Sequence, residues 1–244
     1  IRALLCNLQV LNKSLVMVAS DSEIKSISTL DTKLKFLSGE DYSRHDMRLA
    51  DMSGTTIKDV FFKRSDLRRA SFVASHLTRC IFHNSQLGRL DLRDASLHDC
   101  DFTDANAVCL FASGSAIEKV NFSCLTGVGA SFSKATFRSC QFQGAILAQA
   151  IFSEAVMSEC NMSGAFLFGA DFSSAKLHNV SFKDADLRFV TFSGAIFEKV
   201  DFTGAYFGKC FSHTEASFIG CRGAPEFSLE PSEVRCWRLL SDSI

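Results

Sequence analysis

The sequence predicts a repeat architecture in which the chain turns every five residues. Large apolar residues occupy nearly every fifth position from Tyr42 to Phe207, through 34 consecutive units without an insertion. A second column, two residues earlier in each unit, holds small or medium-sized residues such as Ala170 and Cys160. A helix has a period of 3.6 residues and a half-buried strand a period of 2, so neither gives two inward positions in every five. A turn in each unit does.

Composition excludes several classes of protein. The 244 residues carry 26 Lys and Arg against 27 Asp and Glu, a formal net charge of −1. Sequence-blind nucleic-acid binders need a large cationic excess, so we expect no direct nucleic-acid partner. The most apolar run, Leu15 to Ala19, is far shorter than the about 20 residues of a membrane-spanning helix. Residues 1–20 also make a poor signal peptide, since Asn7, Gln9 and Lys13 interrupt them.

Several units carry a resemblance to a known family. The clearest read Ala50-Asp51-Met52-Ser53-Gly54, Ala170-Asp171-Phe172-Ser173-Ser174, Ala185-Asp186-Leu187-Arg188-Phe189 and Val200-Asp201-Phe202-Thr203-Gly204. They resemble the pentapeptide-repeat family, whose units follow roughly A-(D/N)-(L/F)-(S/T/R)-x, and the match covers about 170 residues. The resemblance implies an all-β solenoid: a right-handed, four-sided parallel β-helix of about 8–9 coils, roughly 40 Å long. Each coil's amides then pair with the next coil, which explains why the two prolines, Pro225 and Pro231, lie beyond the repeat.

One patch of the repeat departs from the pattern. The large column shrinks to Ala112 and Gly127, where the preceding inward position grows to Leu110 and Leu125. Close packing predicts such an exchange of volume between the two columns. A local bulge is the alternative interpretation.

The repeat leaves two ends unassigned, and open solenoid ends need caps. We predict an N-terminal capping segment at residues 1–35, a helix plus short strands, or else the remnant of a preceding domain. The β-helix occupies residues 36–220, with a register slip of one residue near Phe218. A C-terminal capping helix follows at residues 221–244, where Pro231 suggests a helix start and Val234, Trp237 and Leu240 form a stripe.

Cysteine and histidine give weak signals of chemistry. Cys80 and Cys100, like Cys140 and Cys160, lie one coil apart in one column, within reach of a disulfide. Free thiols acting as small buried hydrophobes are the favoured interpretation, in a reducing compartment. Two other cysteines, Cys109 and Cys124, occupy outward positions of the repeat. We expect them to be more reactive than the buried thiols because solvent and reagents can reach them.

No catalytic or metal-binding set converges in the sequence. His76 and His98 lie in adjacent coils near Asp99, but solvated surface histidines are the simpler interpretation. A Ser-His-Asp or Cys-His set and a phosphate-binding glycine loop are absent, and flat-sided solenoids lack a concave pocket. We therefore predict no enzyme activity, no cofactor, no metal and no small-molecule substrate.

One face of the predicted rod carries apolar residues at positions that should meet solvent. Its units are centred on residues 47, 67, 87 and so on to 207. Arginines occupy one end of this face, partly offset by Asp46 and Asp66, and apolar side chains follow. A patch of this extent is typical of an interface, although a cap, loop or neighbouring domain could also cover it. The predicted interface residues are Val128, Ile146, Phe166, Phe168, Phe189, Tyr206, Arg68 and Arg69.

The function we predict is a non-catalytic protein–protein interaction module that binds a protein partner, self-associates, or both. The resemblance implies settings such as a bacterial effector delivered into a host cytoplasm or a recognition domain of a larger protein. It also implies an alternative: a DNA mimic that acts on a type II topoisomerase by gyrase inhibition or quinolone protection. A 40 Å stretch of duplex carries roughly 24 charges, whereas this chain nets −1, so the alternative is disfavoured.

Overall fold

The computed structural model describes residues 36–208 and 213–223. The regular structure in this part of the chain is parallel β, with each strand pairing only with its sequence neighbours in one sheet. The strands are Phe36–Ser38 (β1), Thr56–Lys58 (β2), His76–Thr78 (β3), Ser96–His98 (β4), Ala116–Glu118 (β5), Thr136–Arg138 (β6), Val156–Ser158 (β7), Lys176–His178 (β8), Ile196–Glu198 (β9) and Ser217–Ile219 (β10). This arrangement confirms the predicted all-β solenoid, with about nine turns.

Each coil takes 20 residues and has four faces. The strand face is the ladder of β1 to β10, in which Leu37 pairs with Ile57 and so on. Three more ladders of single bridges, also 20 residues apart, begin with Asp41–Phe61, Asp46–Asp66 and Asp51–Ser71. We name these the second, third and fourth faces. The inward residues of the third face run from Met47 to Phe207.

A turn closes each unit of the bridged faces. In the unit centred on Tyr42, the His45 amide donates to the Tyr42 carbonyl (3.2 Å), and Arg44 between them has a φ of 61°. A positive φ at the third position is the mark of a type II turn. The Ser43 amide points away from the ladder and donates to Oδ1 of Asp41 (2.8 Å). Where Asp or Asn precedes the inward residue, as at Asp51 and Asn121, its side chain can satisfy in this way the one amide that the coils do not pair.

The core is made of stacked aromatic rings that enter from opposite faces. On the second face, Phe82 stacks on Phe102 with ring centroids 4.4 Å apart. On the fourth face, Phe152 stacks on Phe172 at 4.8 Å. The two stacks meet edge to face, as Phe122 does against the neighbouring ring of Phe132. These stacks explain why Phe repeats on two of the four faces.

The polar residues of the small column bond locally. Ser65, Ser75 and Ser115 are buried, and each hydroxyl donates to the carbonyl three residues earlier at 2.6 Å. No buried side-chain polar atom in the described ranges lacks a partner. Serine thus replaces alanine in this column without leaving an unpaired hydroxyl in the core.

The irregular patch around residues 110–127 keeps the regular register of the ladders. The structure therefore favours the exchange of volume between the two inward columns and shows no bulge there. Phe111 pairs with Ser131 and Thr126 with Ile146, at the regular 20-residue step. A Cβ on Gly127 would lie 3.0 Å from Cδ2 of Leu147 and 3.2 Å from Cδ2 of Leu125. A side chain at this position would need the two leucines to shift by a few tenths of an ångström, so their crowding favours glycine.

The predicted register slip occurs after the third face of the last full coil. Phe218 pairs with Phe197, a step of 21 residues, and pairing continues through Arg222 with Asp201. The predicted N-terminal cap lies outside the described residues, as do residues 224–244 of the C-terminal helix predicted at 221–244, whereas Arg222 belongs to the ladder of the solenoid. Among the described residues, no helix is long and apolar enough to cross a bilayer.

Candidate functional site: the third face

The structure places all eight predicted interface residues on the outside of the third face or at its corner with the fourth. Outward positions alternate with the buried centres, since Leu147 and Leu167 are fully buried while Ile146 and Phe166 are exposed. The apolar side chains occupy consecutive coils and form what we call the apolar strip: Val108, Val128, Ile146, Ala148, Phe166, Phe168, Phe189 and Tyr206. Whether the strip is an interface stays a prediction.

The strip contains one uninterrupted apolar series, Val108, Val128, Ala148 and Phe168, although Asp186 separates Phe166 from Tyr206 in the neighbouring ladder. On the fourth face, Phe111 and Ile151 are separated in their ladder by Ser131. On the strand face, Lys176 separates Val156 from Ile196. Single exposed apolar residues are normal on protein surfaces, whereas a continuous patch is typical of a binding surface.

An aromatic cluster forms the end of the strip nearest β10. Phe168 stacks on Phe166 (6.1 Å between centroids) and packs against Phe189 at 4.9 Å. Arg188 lies between two rings, with its Cζ 5.5 Å from the centroid of Phe168 and 5.4 Å from that of Tyr206. The cluster therefore presents aromatic faces braced by a guanidinium. Our sequence prediction omitted Arg188, although its outward position on the same face could have indicated it.

Arg188 is itself fixed by its own unit. Its Nη2 donates to Oδ2 of Asp186 at 2.6 Å, and this hydrogen bond raises the pKa of the guanidinium. The charge is thus neutralised within the strip, while the planar group stays available for stacking.

Phe189 has an unusual backbone for a bulky residue, with a φ of 59°. The left-handed region is uncommon for bulky side chains, but this place in the turn has a positive φ in other units too, as at Leu49 and Arg69. Glycine takes the same place in the preceding coil, at Gly169 with a φ of 68°. The aromatic ring at position 189 is therefore kept against local backbone preference.

The other end of the third face is rich in arginine. Arg48 and Arg68 each bind the aspartate two residues earlier, Asp46 at 2.5 Å and Asp66 at 2.6 Å. Arg69, at the corner with the fourth face, is exposed and takes part in none of the ion pairs among residues 36–208 and 213–223. Arg68 and Arg69 are thus both exposed, and Arg68 is neutralised by its neighbour.

The stacked cysteines lie in the core as free thiols. The hydrogen bond between Cys80 and Cys100, together with burial, raises the pKa of the Cys100 thiol well above its usual value. The bond to Cys140 and burial raise the pKa of Cys160 likewise. Held in the neutral form, Cys100 and Cys160 are poor nucleophiles, whereas the same hydrogen bonds lower the pKa of the partner thiols Cys80 and Cys140. The outward thiols are Cys124, which is exposed, and Cys109, which is half-buried.

The strand face contains two histidine–glutamate pairs that sequence analysis did not identify. Nδ1 of His98 lies 3.3 Å from Oε2 of Glu118, and His178 makes the same contact with Glu198. Folding the sequence at a period of 20 would have revealed both. His76 and His98 lie on opposite sides of the inward column. No group of three or more potential metal ligands occurs among the described residues.

Comparisons with known proteins agree with this geometry. A family model described as "Pentapeptide repeat region" matches residues 130–211, and one described as "Pentapeptide repeats (8 copies)" matches residues 46–84. No curated protein sequence matches the chain.

Three solved structures illustrate the likeness. One is HetL, a pentapeptide repeat protein involved in heterocyst differentiation regulation from the cyanobacterium Nostoc sp. strain PCC 7120. It is 20% identical, with 77% of this chain and 84% of that chain covered and a TM-score of 0.48. QnrB1, a plasmid-mediated fluoroquinolone resistance protein, is 16% identical, with 78% and 91% covered and a TM-score of 0.37. A pentapeptide repeat protein from the Arabidopsis thaliana thylakoid lumen is 28% identical, with 40% and 65% covered and a TM-score of 0.33.

The five-residue period, the four parallel ladders and the two family models lead to one assignment: the chain belongs to the pentapeptide-repeat family.

Proposed function

We propose that this chain is a non-catalytic protein-interaction module that binds a protein partner through the apolar strip. The observation that carries the proposal is the continuity of the strip over consecutive coils, ending in the aromatic cluster around Phe168. Faces of a repeat solenoid commonly serve as extended binding surfaces. The proposal assigns the chain no reaction and no cofactor.

The chemistry of the cluster suits a binding anchor. Residues that dominate binding energy at interfaces are enriched in aromatic side chains and arginine, near the centre of the contact. Phe166, Phe168 and Tyr206 supply flat apolar area, and Arg188 is held in place before a partner arrives. Complete burial of a fully exposed phenylalanine contributes about 1.5–3 kcal/mol, and since Phe166 is only 37% exposed, its contribution on binding is a corresponding fraction of that.

The setting is a further part of the proposal. The free buried thiols, including Cys80 and Cys140, suit a reducing compartment. Action as an effector in a host cytoplasm, or as a recognition domain in a larger protein, rests on the family resemblance alone, as does the right-handed sense of the helix.

A DNA mimic directed at a type II topoisomerase is the second candidate. It would need an acidic stripe to imitate the phosphate charge of duplex DNA. In the outward ladders, non-acidic residues instead stand between the acidic ones, as in the series Asp51, Ser71, Asp91 and Phe111. We therefore expect no inhibition of DNA supercoiling by gyrase at micromolar protein, and inhibition would favour this second function.

The substitution Phe168→Asp tests the interaction proposal. We expect it to abolish association, measured by light scattering for self-association and by affinity capture for other proteins. Thermal stability should fall by less than a core truncation costs, since Phe168 is half-buried on the outside of the third face. Ile151→Asp, on the fourth face and isolated in its ladder, is the matched control and should leave association intact. Unchanged association of Phe168→Asp, or a stability loss typical of a core residue, would contradict the proposal.

A further inference from the structure

The third face carries its unpaired positive charge at the end nearest β1 and its apolar area at the end nearest β10. Its first three coils carry exposed, unneutralised arginines at both corners: Arg44 and Arg64 beside the second face, and Arg69 and Arg89 beside the fourth. None of the four takes part in the ion pairs of the described residues, in contrast to Arg48 and Arg68. We call these four residues the arginine rails.

The rails are built by the fold. The Arg44 amide donates to the carbonyl of Lys63, and the Arg64 amide to that of His83, so successive arginines stack one coil apart. The Arg69 amide bonds Gly88 and the Arg89 amide bonds Val108 in the same way. Like charges about 4.8 Å apart in backbone position repel one another. Asp46 and Asp66, between the rails, already pair with Arg48 and Arg68, and no ion pair of the described residues involves the rails, so the rails favour an anionic ligand.

The proposal rests on the interaction function above and names its ligand. We propose that the third face binds a protein segment with acidic residues at one end and large apolar residues at the other. The segment lies along the rod, with carboxylates between the arginine rails and apolar side chains on the strip. Charge complementarity fixes its direction, and the aromatic cluster anchors its far end.

A nucleic acid fits this surface less well, although basic grooves with aromatic residues bind single strands. A strand carries negative charge along its whole length. The strip offers one guanidinium, Arg188, which Asp186 already neutralises. The separation of charge from apolar area therefore matches a segment whose own charge is confined to one end.

The chain's own outer segments and a second copy are weaker matches. Residues 1–35 hold five basic and three acidic residues, the wrong sign for the rails. In residues 224–244 the acidic Glu226, Glu230 and Glu233 precede the apolar stripe, and the described chain ends before them at Gly223, in the last coil and away from the rails. A second copy packed strip to strip would bring no acid to the rails.

The dimensions set the length of the segment. Arg69 and Tyr206 lie seven coils apart, or about 34 Å at the spacing of parallel strands. This distance corresponds to about 10 residues of extended chain or about 23 residues of helix.

A random 24-residue peptide display library, selected on the purified chain, tests the proposal. We expect enriched peptides to carry Asp and Glu at one end and Leu, Phe or Trp at the other. A synthetic copy of an enriched peptide should bind about tenfold more weakly to the double variant Arg69→Glu, Arg89→Glu, and the loss should shrink in 0.5 M salt. The matched control is Arg138→Glu with Lys176→Glu, which makes the same charge change on the strand face and should leave binding intact.

The outcomes separate this inference from the function it rests on. Suppose that the peptides fail to bind Phe168→Asp but bind the charge-reversed rail variant as well as the unchanged chain. This result would contradict the predicted acidic end of the ligand and would leave the proposed interaction function standing. Failure to enrich any peptide, or enrichment insensitive to both changes, would overturn both. Oligo(dT) of 30 nucleotides binding more tightly than any peptide, and depending on the rails, would assign the face to single-stranded nucleic acid instead.

Discussion

At the scale of single residues, an aspartate that precedes an inward residue has two separable roles where an arginine follows that residue, as at Asp66. Oδ1 of Asp66 accepts the Arg68 amide at 3.2 Å, and the carboxylate also binds the Arg68 guanidinium. The first bond satisfies an unpaired backbone amide, which Asn could do equally well. The second is an ion pair on a surface, worth about 0.2–1 kcal/mol. The family's D/N preference follows from the first role.

Substitutions at Asp66 should separate these roles. The hydrogen bond from Arg68 lowers the pKa of Asp66 below its usual 3.8, so its contribution exists above that value and disappears as pH falls through the folded-state pKa. We expect Asp66→Asn to cost about 0.2–1 kcal/mol at pH 7 and nothing at the acid end of the titration. Asp66→Ala should cost about 0.5–1.5 kcal/mol more at every pH, because the amide is orphaned. Urea unfolding at several pH values measures both.

The control for this pair is Asp51→Asn. Oδ1 of Asp51 accepts the Ser53 amide, and Asp51 makes no ion pair among the described residues. Its substitution should therefore cost less at pH 7 than Asp66→Asn does. Equal costs at positions 51 and 66 would show that the Arg68 pair is not the source of the loss.

At the scale of elements, the aromatic stacks are the cohesive unit. Phe152 lies between Phe132 at 5.1 Å and Phe172 at 4.8 Å and is fully buried. Its ring therefore links three successive coils across the fourth face. Truncation would leave a cavity that neighbouring backbone, fixed by the ladders, cannot close.

We expect Phe152→Ala to lower the free energy of unfolding by about 3–5 kcal/mol. Ile151→Ala, one residue earlier and facing outward, is the matched control and should cost about 0.5 kcal/mol or less. Chemical denaturation measures both. Similar costs at the two positions would contradict the inward register.

At the scale of the whole molecule, each strand contacts only the strands before and after it. Stability of such a solenoid is approximately a sum of coil terms and neighbour terms, so coils near an end have less support than central ones. We expect amide hydrogen exchange, followed by mass spectrometry, to be slowest in the coils spanning β5 to β8 and faster toward β1 and β10. Uniform protection along the rod would contradict this prediction.

The sequence predicted the fold well because its unit is only five residues long. Residues such as Phe152 and Leu167 repeat at a fixed offset, and one period fixes both the buried column and the outward register of Phe166 and Phe168. The pairing of Arg188 with two rings was not predicted, since it joins residues 18 and 20 positions apart. That contact depends on side-chain directions at one corner, which a five-residue period does not specify.

The sequence by itself determined that this chain turns every five residues, which side chains enter the core and where the register slips near Phe218. Regular spacing suffices for this because every unit meets the same packing constraint. Only the tertiary structure decided which outward residues become neighbours. Stacking coils 20 residues apart joins the apolar strip, aligns the arginine rails and sets Arg188 between Phe168 and Tyr206. Core packing does not restrict the outward side chains, so which of them become neighbours depends on how the coils stack.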